Sequence, residues 1–365
     1  MKTISTFLLL LVASIVHAYD FEVNGIYYNI KSLSELTAEV SHNGMNSYSG
    51  NVEIPNYVEY NGKNLKITGI GQKAFYYCEN LESIKISEYI EEIGNSAIGA
   101  CPKLTILNIP ASVKTIGGGA ASGCVGIKSL NVPSTVEIIG ENAFSGCTGL
   151  ETLTIENGVT TIGMSAFYGC TSLTSIIIPK SVLSVGTTAF RNCSNLKEVI
   201  IEDGDEILEV GNTQPWYNVK LQNIHIGRNI KRAKSNYYFS WSLKNAKKIT
   251  VGKNVSDLWW LLPEDTEVFQ LECETPPTAR SFSNTEYVNA SLIIPAGSKE
   301  LYMQTEPWKN FWNVTEAGTT CIEDVKNIGS NNGDTYLING IKGNKSVCGP
   351  QIMRSISGKN IKVIK

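Results

Sequence analysis

Ile139-Gly140-Glu141-Asn142-Ala143-Phe144-Ser145-Gly146-Cys147-Thr148-Gly149-Leu150 decides the reading of this chain, because versions of it stand before and after it at a constant interval. The Ile-Gly step recurs as Ile70-Gly71, Ile93-Gly94, Ile116-Gly117, Ile162-Gly163 and, with valine, Val185-Gly186. Cysteines keep step at Cys78, Cys101, Cys124, Cys147, Cys170 and Cys193, as do alanines at Ala74, Ala97, Ala120, Ala143, Ala166 and Ala189, each column advancing by 23 residues. A fixed period of this size means structural units that stack on one another.

Working outward, an apolar residue three past each cysteine (Leu81, Leu104, Ile127, Leu150, Leu173, Leu196) leads into an alternating pair such as Leu130/Val132 or Ile176/Ile178. Period-two alternation predicts a short strand with one buried face. Pro110, Pro133 and Pro179 follow directly, where a missing N–H ends the ladder at little cost, and the Ile-Gly step is then expected to turn the chain. One coil cannot enclose its own apolar side chains, so the coils must stack around a common core. The fold class predicted is a β-rich repeat solenoid of 23-residue coils with short parallel strands. This reading overrides the two or three domains that 365 residues with 42% hydrophobic content would otherwise suggest.

Met1 to Ala18 has the form of a secretory signal, with Lys2, an apolar run from Ile4 to Val16, and Val16-His17-Ala18 before Tyr19. The run is too short for the ~20 residues that cross a bilayer, so no membrane span is expected after signal removal. Without Lys2 the formal net charge goes from −3 to −4, which argues against a nucleic-acid partner. The expected organisation is 1–18 signal peptide, 19–66 N-terminal cap, 67–202 regular repeats, 203–318 irregular repeats and C-terminal cap, and 319–365 linker and tail. Phe21, Tyr27, Tyr28, Val52, Ile54 and Pro55 can cover the first coil, with turns at Gly44, Gly50 and Gly62. Past Glu202 the spacing breaks, but Ile224-His225-Ile226-Gly227 returns as Ile249-Thr250-Val251-Gly252, which suggests longer coils. Leu292 to Pro295 reads as one more strand, and Trp308, Phe311 and Trp312 are expected to close the far end.

The phrase Ile139 to Cys147, followed by Leu150 and a strand, resembles the repeat of the BspA-like leucine-rich-repeat family, and the flanks around Phe21 to Ile30 and Ile294 to Ser298 are similar to that family's. Ala121 and Ile98 depart from it where phenylalanine is usual. The resemblance implies secreted or cell-surface proteins, common in Bacteroidetes, some of them adhesins. It implies no catalytic residues and names no ligand. The tail after Thr319 is similar to C-terminal sorting tails of exported Bacteroidetes proteins; a small β-hairpin is the alternative.

The expected function is therefore extracellular binding or adhesion toward a protein or glycan, with no cofactor and no metal. His42 and His225 lie far apart in sequence and neither belongs to a paired metal motif. Asp203, Asp205 and Glu206 raise the alternative of a secreted hydrolase or a glycan-processing accessory protein with an acidic site, against a merely solvated insertion. Aromatic residues crowd the irregular coils, interleaved with Arg228, Lys231, Arg232 and Lys234. Trp216, Tyr217, Tyr237, Tyr238, Trp241, Trp259, Trp260 and Arg232 are accordingly the candidate ligand-binding residues; the competing reading is that these rings fill larger coils. The outward strand positions (Ser83, Lys85, Asn108, Ser129, Asn131, Thr152, Thr154, Ser175) are mostly small or polar, apart from Ile106, Ile177 and Ile200. The six in-register cysteines are expected to form a buried thiol ladder, because equivalent residues ~4.8 Å apart with parallel Cβ vectors cannot meet disulfide geometry.

Overall fold

The structure is a computed structural model that describes residues 18–211, 215, 216, 218–232, 241–244 and 246–318, without the side chains of 232, 241, 242 and 244, together with the backbone of three strands in the tail. The predicted signal segment, residues 1–17, lies outside the described residues.

The chain winds as a solenoid whose coils meet along two parallel ladders. One ladder carries the alternating strands: Leu81–Lys85, Ser129–Val132, Thr152–Ile155 and then an unbroken seven-stranded sheet from Ser175–Ile178 to Asn313–Glu316. Along these strands residues alternate between buried and outward, so Leu130, Val132, Leu153, Ile155, Ile176 and Ile178 enter the core as their period requires. The return ladder is a twelve-stranded sheet in which two-residue strands such as Thr115–Ile116, Ile138–Ile139 and Thr161–Ile162 pair residue for residue with the next coil. An antiparallel meander, Phe21–Val23, Ile26–Ser32 and Thr37–Val40, opens this sheet and caps the first coil. Gly44, Gly50 and Gly62 have positive φ, as turn positions should.

The third side is a run of tight turns stitched from coil to coil. Phe75, Ile98, Ala121, Phe144 and Phe167 each donate a backbone N–H to the alanine carbonyl of the next coil at 2.7–2.8 Å. The cysteine column closes the same turns: the thiols of Cys101, Cys124, Cys147, Cys170 and Cys193 donate to the carbonyls of Phe75, Ile98, Ala121, Phe144 and Phe167 at 3.0–3.3 Å. All six column cysteines and Cys273 are buried free thiols. Burial pushes Cys147 up to about 12, which keeps it in the unreactive S–H form.

The chain turns directly after the Ile-Gly step, and its glycine also lets the coils approach: a Cβ on Gly140 would lie 2.6 Å from the carbonyl carbon of Gly117. Two expectations are corrected. The irregular coils are not uniformly longer. Pairing partners are 25 residues apart at Glu198/Asn223 and Asn223/Lys248, but 20 at Lys248/Val268, 23 at Val268/Ser291 and 22 at Ser291/Asn313. At the far end Trp308 and Phe311 are buried against Phe282 and Tyr287, whereas Trp312 is 66% exposed and does not close the core. The tail strands Thr335–Leu337, Gln351–Arg354 and Ile361–Val363 form an antiparallel three-stranded sheet.

Left-handed backbone recurs where each turn leaves for the next strand: Tyr77, Ala100, Gly123, Gly146, Gly169 and Asn192 all have φ between 56° and 75°. A non-glycine residue there costs roughly 1–2 kcal/mol. We expect Ala100→Gly to stabilise the protein by about 1 kcal/mol, and Gly140→Ala to destabilise it by at least about that much, in urea unfolding. Titration of unfolded, never-reduced protein should find at least six free thiols; two or fewer would mean that the column is oxidised in pairs.

Candidate functional site

The outward positions of the long ladder form two ranks. One runs Ser129, Thr152, Ser175, Glu198, Asn223, Lys248; the other runs Asn131, Thr154, Ile177, Ile200, His225, Thr250, each row pairing in register from Ser175 onward. Ile177 stands exposed beside the half-buried Ile200, so two of the three apolar exceptions sit next to each other, while Ile106 stands apart. Between Ile106 and Pro110 the ladder is reduced to one bridge, Ser83 to Ile106. A shallow open groove of about 370 Å³ lies there, walled by Ile86, Ile106, Ile109 and Pro110 and edged by Lys85 and Asn108.

The candidate aromatic residues do not act as a group. Trp216 is 6% exposed and lies 6.1 Å from Phe190, nearly parallel to it, at the end of the stack Phe144, Phe167, Phe190. Pro215 accepts the Phe190 N–H as an alanine does in earlier coils, so Pro215-Trp216 stands where Ala-Phe stood before. The ring is therefore a core residue of the 25-residue coil. Trp260 is likewise buried, 4% exposed. Trp259 alone of the described candidates presents its ring, 48% exposed, with the Arg280 guanidinium 5.7 Å from the ring centroid. The backbone of Trp241 pairs with Leu261 and that of Arg232 with Val210, but their side chains lie outside the described residues, as do Tyr217, Tyr237 and Tyr238 entirely. Arg228 is buried, donating to the Lys180 and Pro179 carbonyls at 2.8 and 2.9 Å, so it braces the ladder end and does not join a contact surface.

The acidic segment is engaged with neighbouring coils. Asp205 accepts from the Asn254 amide at 2.7 Å, Glu202 accepts the Lys180 N–H at 3.0 Å, and Asp203 lies 3.6 Å from His225 Nε2. Glu206 is exposed. The described residues contain no group of three or more His, Cys, Asp or Glu arranged to hold a metal. No described helix is long and apolar enough to cross a membrane.

A carboxylate that sequence reasoning missed is Glu286, buried in the helix Asn284–Asn289, which packs near the C-terminal cap. One oxygen accepts the Ser283 N–H at 3.0 Å in a capping box, and the other has no hydrogen-bond partner. Burial holds its pKa above the ordinary 4.5, with Asp265 and Glu264 pushing the same way and the Ser283 hydrogen bonds opposing.

Coils, paired ladders and a repeated apolar phrase define the class: a leucine-rich-repeat solenoid. The model of BspA-type leucine-rich-repeat regions matches in six copies, at residues 24–128, 52–170 and 119–245, and the chain belongs to that family. Among solved structures it is similar to a leucine-rich repeat protein from Bacteroides ovatus (21% identity over 82% of this chain and 100% of that one, TM-score 0.32). It is also similar to a leucine-rich cell surface protein from Faecalibacterium prausnitzii (17%, 82% and 95%, TM-score 0.40) and to the pneumococcal vaccine antigen PcpA (13%, 82% and 97%, TM-score 0.37). No curated protein matches the chain.

Two expectations follow. Trp216→Ala should destabilise the solenoid by ~3–5 kcal/mol, whereas Trp259→Ala should change stability by no more than ~0.5 kcal/mol, measured by urea unfolding. Because the folded pKa of Glu286 is raised, its stabilising share is complete below the ordinary value of 4.5 and is lost as pH rises through the folded value. Glu286→Gln keeps an acceptor for the capping box, so it should melt higher than wild type at pH 7, with the difference vanishing below pH ~4.5.

Proposed function

We propose that this protein is an exported, non-catalytic binding protein that recognises an extracellular protein or glycan through the outside of its solenoid. The observation that carries the reading is the pair of outward ranks on the long ladder, a surface of mixed hydroxyl, amide, charged and aliphatic groups extending along an unbroken seven-stranded sheet. Such a face suits an extended partner, where a small-molecule enzyme gathers convergent groups in an enclosed pocket. Membership of the BspA-type family and the signal-like residues 1–18 support the same reading. Trp259, with Arg280 against its ring, is the anchor on the irregular half, since Trp and Arg concentrate binding energy where they stay accessible.

The test is an array of defined extracellular-matrix proteins and oligosaccharides probed with residues 19–365. Saturable binding that falls by roughly 2 kcal/mol in Trp259→Ala, with an unchanged melting curve, is expected. Saturable hydrolysis of a common polymer would favour an enzyme. Binding that ignores Trp259 but is lost in an Ile177→Asp, Ile200→Asp double variant would move the contact to the regular ladder face.

A further inference from the structure

The first regular turn, Lys73-Ala74-Phe75-Tyr76-Tyr77-Cys78, differs from its repeats in a way that the core does not require. Ala74, Phe75 and Cys78 are buried like their counterparts, but Tyr77 occupies the left-handed position that Gly123, Gly146, Gly169 and Asn192 fill in later coils. Its φ is 58°, and its ring is 45% exposed. A bulky aromatic residue in that conformation is a true backbone outlier, and the turn does not call for it, because glycine serves the same turn three times. Strain kept at an exposed aromatic side chain points to use.

The surroundings organise the ring. Tyr76 lies 4.6 Å from Tyr77, at 85° to it, and rests over Gly99, where a Cβ would come within 3.0 Å of Tyr76 Cδ2. The next coil is thus trimmed under the ring. Lys73, itself left-handed at φ 57°, places its ammonium 5.7 Å from the Tyr76 centroid. From the cap, the Asn46 N–H donates to the Tyr76 carbonyl at 3.2 Å, and Asn46 Oδ1 accepts the Glu79 N–H at 3.2 Å. Lys73, Asn46, Glu79 and Asn80 are all exposed around the rings.

We propose that Tyr76, Tyr77 and Lys73 form a carbohydrate-binding corner for a neutral pyranose oligosaccharide. The exposed Tyr77 ring offers apolar surface to the C–H side of a sugar, the Tyr76 ring at a right angle bounds it, and ammonium, amide and carboxylate groups at the rim match the sugar's hydroxyls. A protein hot spot would instead seat its anchor in a desolvated apolar pocket, and this corner is ringed by charge. The site rests on the reading of the chain as a binding protein, but it is separate from the Trp259 contact, which belongs to the irregular half.

The probe is an array of defined neutral gluco-, galacto- and manno-configured oligosaccharides, with titration calorimetry on the best binder. Tyr77→Gly installs the residue that three later coils use, so it should melt higher than wild type and yet bind the sugar about tenfold or more weakly. Ala100→Gly, at the same place one coil on, should also melt higher and bind as wild type does. The proposal is overturned if Tyr77→Gly binds unchanged, if it melts lower, which would make the ring a packing element, or if wild type binds none of these sugars. If only a protein ligand is bound and Tyr77→Gly loses it, the sugar assignment falls. Protein binding lost in Trp259→Ala, with no sugar bound, removes this site while leaving the general reading in place.

Discussion

The distance between neighbouring coils governs the rest of the structure. Parallel strands hydrogen-bond at about 4.8 Å, so every atom of one coil must fit within that interval of the next on all three sides. The glycine column shows the constraint most directly: at Gly94, Gly117, Gly140, Gly163 and Gly186 an added Cβ would come within 3.0 Å of backbone atoms of the preceding coil. The same interval makes the core one-dimensional. Identical residues fall above one another, and the side chains that tolerate self-stacking are selected: parallel phenylalanine rings 5.3–5.4 Å apart, aliphatic columns, and small thiols that reach a carbonyl of the coil before.

That regularity explains why the fold was legible in the sequence. A column with one permitted chemistry repeats itself, so Cys147 and Phe144 announce their role by where Cys124 and Phe167 stand. Strand phase followed from alternation. What failed was chemistry hidden under an irregular interval. Trp216 continues the phenylalanine stack, but it lies 26 residues after Phe190, beyond the reach of the 23-residue count, and the crowding of aromatic residues in the irregular coils placed it among candidate contacts. The signal was present in Pro215-Trp216 read as a widened Ala-Phe.

The surface was less legible because it escapes the ladder's selection. Outward positions on the strands need only be tolerated by solvent, so Ile177 beside Ile200, or Lys248 beyond Asn223, carry no period from which their role can be read. Composition pointed to aromatic and basic residues between 216 and 260, and of those with described side chains only Trp259 presents its ring. Tyr76 and Tyr77 were passed over because they sit inside a repeat that otherwise obeys the rule. Their signal is a mismatch within the column: tyrosine where three later coils have glycine.

A solenoid separates the demands of stability from those of recognition. Columns supply stability through neighbours above and below, and each coil can therefore change its outward residues with little effect on the stack. Departures from the column rule that worsen the backbone without filling the core are the informative ones, since nothing in the repeat's own energetics retains them. Gly118 and Gly119 are departures in the permissive direction, adding freedom to a turn that Asn95, Ser96 and Glu141 already accommodate. Tyr77 departs in the opposite direction, with an exposed ring on strained backbone. That sign, more than aromatic content, separates a residue kept for a partner from one kept for the fold.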